Sequence, residues 1–211
     1  MSKVKAIAAA LLISVCASTV SFAEVNNIHE EDINWKIDYP VLTVGANESA
    51  QDAINSDIMN YGGQLRSDFE NGKYYICSGN YTVHYEDDDV LSLSLHFLRL
   101  PYGANGNHVT SYDLVYDKTT GERIPLENYV RITLTDLKQY LGGHSYSYGG
   151  KTLRGINGDY VESIPINYFL EGNGVVCLVF QPYQLDAGCF GNCYVRLEPQ
   201  YIEYLNRKNQ W

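Results

Sequence analysis

Between Ala50 and Phe97 the spacing of the apolar residues changes once, from helical to extended, and this restricts the chain to folds that lay a helix against a sheet. Ala50, Ile54, Ile58, Tyr61, Leu65 and Phe69 recur at intervals of 4, 4, 3, 4 and 4, which makes one apolar stripe along a helix. Ser49-Ala50-Gln51-Asp52 reads as its capping box. Gly62-Gly63 is a point where the helix can bend or break, since each glycine costs about 1 kcal/mol relative to Ala. From Tyr74 the period becomes 2. Tyr75, Cys77, Tyr81, Val83 and Tyr85 alternate with Ser78, Asn80, Thr82 and His84; beyond the turn at Glu86-Asp87-Asp88-Asp89, Leu91, Leu93, Leu95 and Phe97 alternate with Ser92, Ser94 and His96. The pattern predicts an antiparallel hairpin with one face buried.

The same reading extends along the chain. Trp35 to Val44 is extended, with Pro40 placing it at an edge or a strand boundary. A third strand runs through Tyr112, Leu114 and Tyr116 into the turn Asp117 to Gly121. A short helix starts at Thr133 with Asp136 as capping partner, turns Leu134, Leu137 and Leu141 inward and stops at Gly142-Gly143. Residues 142–158 hold six glycines and predict a mobile surface loop. A last hairpin pairs Asn167 to Glu171 with Val175 to Gln181 around Gly172-Asn173-Gly174; a strand near Tyr194 to Leu197 leads into a terminal helix with Pro199 at its first position. Hairpins with helices at beginning, middle and end predict an α+β fold, an antiparallel β-sheet with helices packed on one face. Residues 35–211 read as one domain behind a flexible segment, 24–34.

Residues 1–23 have the form of a cleaved signal peptide: Lys3 and Lys5, an apolar stretch from Ala6 to Ala17, then Ser21-Phe22-Ala23 before the cut. An uncleaved anchor is the alternative, opposed by Ser14, Ser18, Thr19 and Ser21; a lipoprotein cut at Cys16 is opposed by the bulk of Val15. Export places the mature chain in the periplasm or outside the cell, with no stable membrane insertion. Without Lys3 and Lys5, 13 basic side chains face 25 acidic ones, a formal charge of −12. Such a surface keeps a protein in solution, repels nucleic acid and anionic lipid, and speeds encounter with a cationic partner.

Cys77, Cys177, Cys189 and Cys193 remain after cleavage, an even number that favours disulfides in an exported chain. Three connectivities are open; the favoured one clips Cys189 to Cys193 and joins Cys77 to Cys177, the latter closing a loop of about 100 residues worth roughly 4.7 kcal/mol. No C-x-x-C or H-x-x-x-H spacing accompanies them, so no metal and no cofactor is implied. Catalytic motifs are missing as well. His144-Ser145 are neighbours and cannot present base to nucleophile. Glu86 to Asp89 lacks the ligand alternation of a calcium loop, and His84 and His96 read as a surface pair across the hairpin. Nineteen tyrosines are the oddity of composition. Most fit half-buried strand positions, while Tyr102, Tyr146, Tyr148 and Tyr183 are candidates for a partner-binding surface.

Several segments in order resemble one known arrangement. Ile37-Asp38-Tyr39-Pro40-Val41-Leu42 followed by Ala53-Ile54-Asn55-Ser56-Asp57-Ile58 is similar to the opening of the N-terminal-side domain of PdaC-type peptidoglycan deacetylases. Leu93 to Phe97, the glycine-rich turn from Gly103 to His108, and Tyr112-Asp113-Leu114 through Gly121 to Leu126 resemble the continuation; Val175 to Tyr183 with Gly188 resembles the closing strand of the extracytoplasmic domain of RsiV-type anti-sigma factors. The match divides the domain into a PdaC-like half, 35–102, and an RsiV-like half, 103–205. It adds His108 to the candidate partner-binding residues. The turn at Ala104 to His108 departs from the family pattern, and Cys189 and Cys193 stand where it has a second tyrosine. RsiV-like domains bind lysozyme and the resembling half of PdaC is not its catalytic half, so the resemblance implies a non-enzymatic envelope module recognising a cationic wall-degrading enzyme or wall glycan. A hydrolase acting on wall polymer is the alternative.

Overall fold

The computed structural model describes residues 24–43, 47–103, 106–143, 145–148, 151–154, 158, 161–185 and 191–210, with backbone alone for 24, 145–148 and 151–154. Among the described residues ten strands form two five-stranded sheets, and three α-helices complete the α+β fold. The first sheet runs β1 (Glu24–Asp32), β2 (Trp35–Thr43), β3 (Ile76–Glu86), β4 (Val90–Leu100), β5 (His108–Asp117) in spatial order. Neighbours are antiparallel except β2 and β3, which are parallel because α1 (Glu48–Glu70) carries the chain back between them. The α+β class agrees with the sequence reading, with the strands divided between two sheets; residues 24–34, read as a flexible segment, hold the edge strand β1, paired along its length with β2, and the turn at 33–34.

α1 lays Ile54, Ile58 and Leu65 on the first sheet, in one cluster with Trp35, Ile37, Leu93, Leu95, Phe97, Leu114 and Tyr116. It is one helix through Gly62-Gly63, because packing of the stripe outweighs the glycine penalty. Its cap is Asn47, whose side-chain oxygen accepts the Ala50 N–H at 3.2 Å, two residues ahead of the predicted box. Pro40 is accommodated because β3 pairs only with Trp35 to Ile37, leaving β1 as the sole neighbour at Pro40. Beyond that point a helix side chain substitutes for the missing strand. Asn55 accepts the Leu42 N–H at 2.8 Å and donates to the Leu42 carbonyl at 2.9 Å, tying the Tyr39-Pro40-Val41-Leu42 segment to α1.

The second sheet has the order β7 (Lys151–Arg154), β6 (Ser145–Tyr148), β10 (Cys193–Leu197), β9 (Val175–Phe180), β8 (Asn167–Gly172). β6 and β7 form a hairpin inside the segment expected to be a mobile loop. α2 (Leu134–Gly143) begins with the predicted reciprocal cap: Asp136 accepts from Thr133 N at 3.1 Å and Thr133 Oγ1 accepts from Asp136 N at 3.2 Å. α2 and α3 (Pro199–Lys208) cover one face of this sheet, with Leu137, Leu141, Leu178, Val195, Ile202 and Leu205 in one buried cluster. β8 contacts β3, β4 and β5 and so covers the face of the first sheet that carries the serines and histidines.

Cys77 and Cys177 are not joined. Each is a free, buried thiol: Cys77 lies in the core under α1, while Cys177 belongs to a separate cluster with Phe169, Val175 and Val179. They sit in different sheets, and no strand pairing brings β3 beside β9. Cys193 is buried on β10; Cys189 lies outside the described residues.

Candidate functional site

Two groups of residues hold the polar and aromatic chemistry. The first is the seam between the sheets. Ser92, Ser94, Ser111 and Asp113 have the alternation of a solvated face, yet they are 0, 1, 1 and 6% exposed. The Ser94 hydroxyl donates to Asp113 Oδ1 at 2.5 Å and the Ser111 hydroxyl to Oδ2 at 3.0 Å; the Ser92 hydroxyl accepts the Leu170 N–H at 2.9 Å. Gln181 reaches across with its amide nitrogen to the Ser111 carbonyl at 3.1 Å and its oxygen to the Ser111 N–H at 3.3 Å, and Asn192 donates to the Ser111 hydroxyl at 2.5 Å. Burial raises the Asp113 carboxyl above its ordinary range, and the two serines oppose the shift only in part.

His84 belongs to this seam rather than to the surface pair expected, while His96 is half-buried, its Nε2 3.5 Å from the Thr82 hydroxyl. The β3–β4 register slips at His84, a bulge that re-aims the ring. The ring stacks on Phe169 of β8 at 3.8 Å and 13°, and Nε2 lies 2.7 Å from the Ser94 hydroxyl. Burial, aided by neighbouring His96, pushes its pKa down to about 4. His96 is likewise lowered by burial, with Asp113 opposing. Serine stands between histidine and aspartate here, and with its hydroxyl given to Asp113 it is a structural link, not a nucleophile held by a base. Among the described residues no three His, Cys, Asp or Glu side chains converge as metal ligands.

The second group is aromatic and lies at the end of the first sheet where β3 starts, β4 ends and β5 starts. Tyr102, 65% exposed, packs its ring 5.4 Å from that of Tyr75, which is 45% exposed. The Tyr75 N–H donates to the Leu100 carbonyl at 2.7 Å, so the two rings flank one backbone contact. His108, exposed at the first position of β5, has its ring 6.3 Å from Tyr74, over which Lys73 lies at 5.4 Å. Two of the predicted partner-binding residues, Tyr102 and His108, are thus at one end of one sheet. Tyr183 is elsewhere, after β9, 83% exposed with φ 73°. Tyr146 and Tyr148 are on β6, their side chains outside the described residues, as are Ala104 and Asn105 of the turn.

A DUF3298 family protein from Bacteroides fragilis superimposes with a TM-score of 0.57 at 11% identity, covering 86% of this chain and 92% of that one. One from Pseudomonas aeruginosa gives 0.58 at 6% identity, covering 87% and 94%. The likeness is one of fold. No family model matches the sequence, and no curated protein does.

Sequence reasoning missed Tyr75, which its place in an alternating run assigned to the core. It precedes the first ladder residue, Ile76, and is released from the pleat. The seam was missed too, because serines and an aspartate at alternate positions look the same whether water or a second sheet covers them.

Proposed function

We propose that the chain is an exported, non-enzymatic recognition module of the cell envelope whose partner is a cationic wall-degrading enzyme of the lysozyme kind. The observation that carries this reading is the exposed Tyr75–Tyr102 pair, two large rings with polar tips fixed at the end of a rigid sheet, the kind of anchor on which protein interfaces concentrate their energy. The formal charge of −12 on residues 24–211 supports a cationic partner, since it draws one in over a distance. The resemblance to RsiV-type and PdaC-type domains points the same way, and among the described residues no helix is long and apolar enough to cross a membrane. Calorimetry with lysozyme tests the reading. Binding is expected at low salt, with association slowing steeply as the Debye length falls from about 30 Å at 0.01 M to about 8 Å at 0.15 M while dissociation changes little. Tyr75→Ala and Tyr102→Ala should each weaken it by about 2 kcal/mol. An absence of binding at low salt rejects this partner and leaves wall glycan, and release of wall fragments by the purified protein alone would favour the hydrolase instead.

A further inference from the structure

A pocket of about 630 Å³ opens where the β3–β4 turn, the β8–β9 turn and α3 meet, next to the seam, with which it shares Leu170, and at the opposite end of the first sheet from Tyr75 and Tyr102. Its volume falls in the range of small-molecule sites. Leu170, Val176 and Ile202 line it and are themselves 7, 2 and 9% exposed, so its depth is continuous with the core under α2 and α3; Val90, Tyr85 and Tyr129 add further apolar wall.

The walls are fixed before any ligand arrives. Gly172, Asn173 and Gly174 take φ of 82°, 51° and 76°, and a Cβ on Gly172 would stand 2.8 Å from the Tyr85 ring, so glycine there is what lets the turn close against that ring. The Tyr85 hydroxyl is held by Asp87 Oδ2 at 2.5 Å. Asn206, from α3, donates to the Tyr129 carbonyl at 2.9 Å and accepts the Arg131 N–H at 2.7 Å, which fixes the opposite wall.

Three charged side chains line the pocket: Asp87, Glu203 and Arg207. Arg207 lies 3.6 Å from Glu203 and the two offset each other. Asp87 Oδ1 accepts the N–H groups of Asp89 and Val90 at 3.0 and 2.7 Å and Oδ2 accepts Tyr85, all neutral donors, while Lys118 bonds Glu86 and the Asp87 carbonyl oxygen instead. Lys118 attracts the Asp87 carboxylate from outside the cavity and does not line it, so an apolar cavity with one carboxylate hydrogen-bonded only by neutral donors, and with two tyrosine rings, complements a positive charge by direct attraction and through the ring faces.

We infer that this pocket is a binding site for a small amphipathic cation, an alkyl or aryl body with a single ammonium group, its body on Val90, Leu170, Val176 and Ile202 and its head between Asp87 and the tyrosines. The site is independent of the recognition surface proposed above. Calorimetric titration of the purified chain with octyltrimethylammonium, octanol and octanoate tests it. Saturable one-site binding is expected for the cation, at least about fivefold weaker binding for the alcohol, and none for the anion. Asp87→Asn, which keeps the turn's acceptor, should remove the preference for cation over alcohol, and Val90→Trp should abolish binding of both. Glu31→Gln, on the exposed edge strand, should change nothing. Equal uptake of cation and anion, no saturable binding, or equal weakening by Glu31→Gln and Asp87→Asn would overturn the inference, the last by reducing it to diffuse attraction to an acidic surface. Should Val90→Trp fail to fold, the Asp87→Asn comparison still decides.

Discussion

His84 concentrates several physical demands in one side chain. It is the bulged residue of β3, it stacks on a strand of the other sheet, and it is bonded to a serine already committed to Asp113. Burial and the nearby His96 favour its neutral form, so its pKa of about 4 lies below the ordinary 6.5. Between these two values the unfolded chain takes up a proton that the native chain refuses. The stabilisation is therefore complete above about pH 6.5 and is lost progressively as pH falls to about 4, roughly 3 kcal/mol in all. Urea unfolding at pH 7 and pH 4 should show this loss in the wild type. His84→Gln, which keeps a polar group without a titration near neutrality, should show a smaller loss over the same interval; an equal loss would assign the acid sensitivity to other groups. Asp136 responds to lower pH still: burial opposes its ionisation, but hydrogen bonds from Lys208, Thr133 and Asn209 more than offset this and hold its carboxyl below the carboxylate range.

At the scale of elements, glycine effects depend on what surrounds the missing Cβ. Gly63 has nothing within 4 Å, so Gly63→Ala in the continuous α1 should stabilise by about 0.5–1 kcal/mol. Gly79 on β3 is the opposite case: a Cβ there would meet Ile37 at 2.9 Å and the Phe97 ring at 3.0 Å, and Gly79→Ala should destabilise by about 1–3 kcal/mol. Thermal melts of the two variants should move in opposite directions. α1, the β3–β4 and β8–β9 hairpins, the α2 cap and Pro199 at the head of α3 were all legible in the sequence because each is written in local spacing and local hydrogen bonding. Where the reading failed, the cause was tertiary. β1 is a strand because β2 offers it an edge, the β6–β7 hairpin is anchored to β10, and the Asn47 cap forms where Asn47 also donates to the Thr119 carbonyl at 2.7 Å. Of the candidate site, the tyrosine richness was visible, whereas the pairing of Tyr75 with Tyr102 depends on where β3 begins and β4 ends.

For the whole molecule, the decisive relation is that the polar face of one sheet is roofed by the edge of the other. Leu170 bonded to Ser92, and Gln181 and Asn192 bonded to Ser111, bind the halves through groups whose partners would be stranded if the sheets parted. The two sheets, each one half of the fold, therefore interlock, and a variant that loosens one should be felt in the other. Two of the buried cysteines, Cys77 and Cys177, give this a time axis. Cys77 is enclosed under α1 and Cys177 is buried on β9 of the second sheet, and burial raises both above the ordinary thiol range, so a labelling reagent reaches neither until its own surroundings open. In native conditions the two modification rates are separate clocks on the two halves. Equal rates are expected if the seam makes the molecule open as one unit; a Cys177 that reacts much faster than Cys77 would reveal a second sheet that lifts away while the first stays closed.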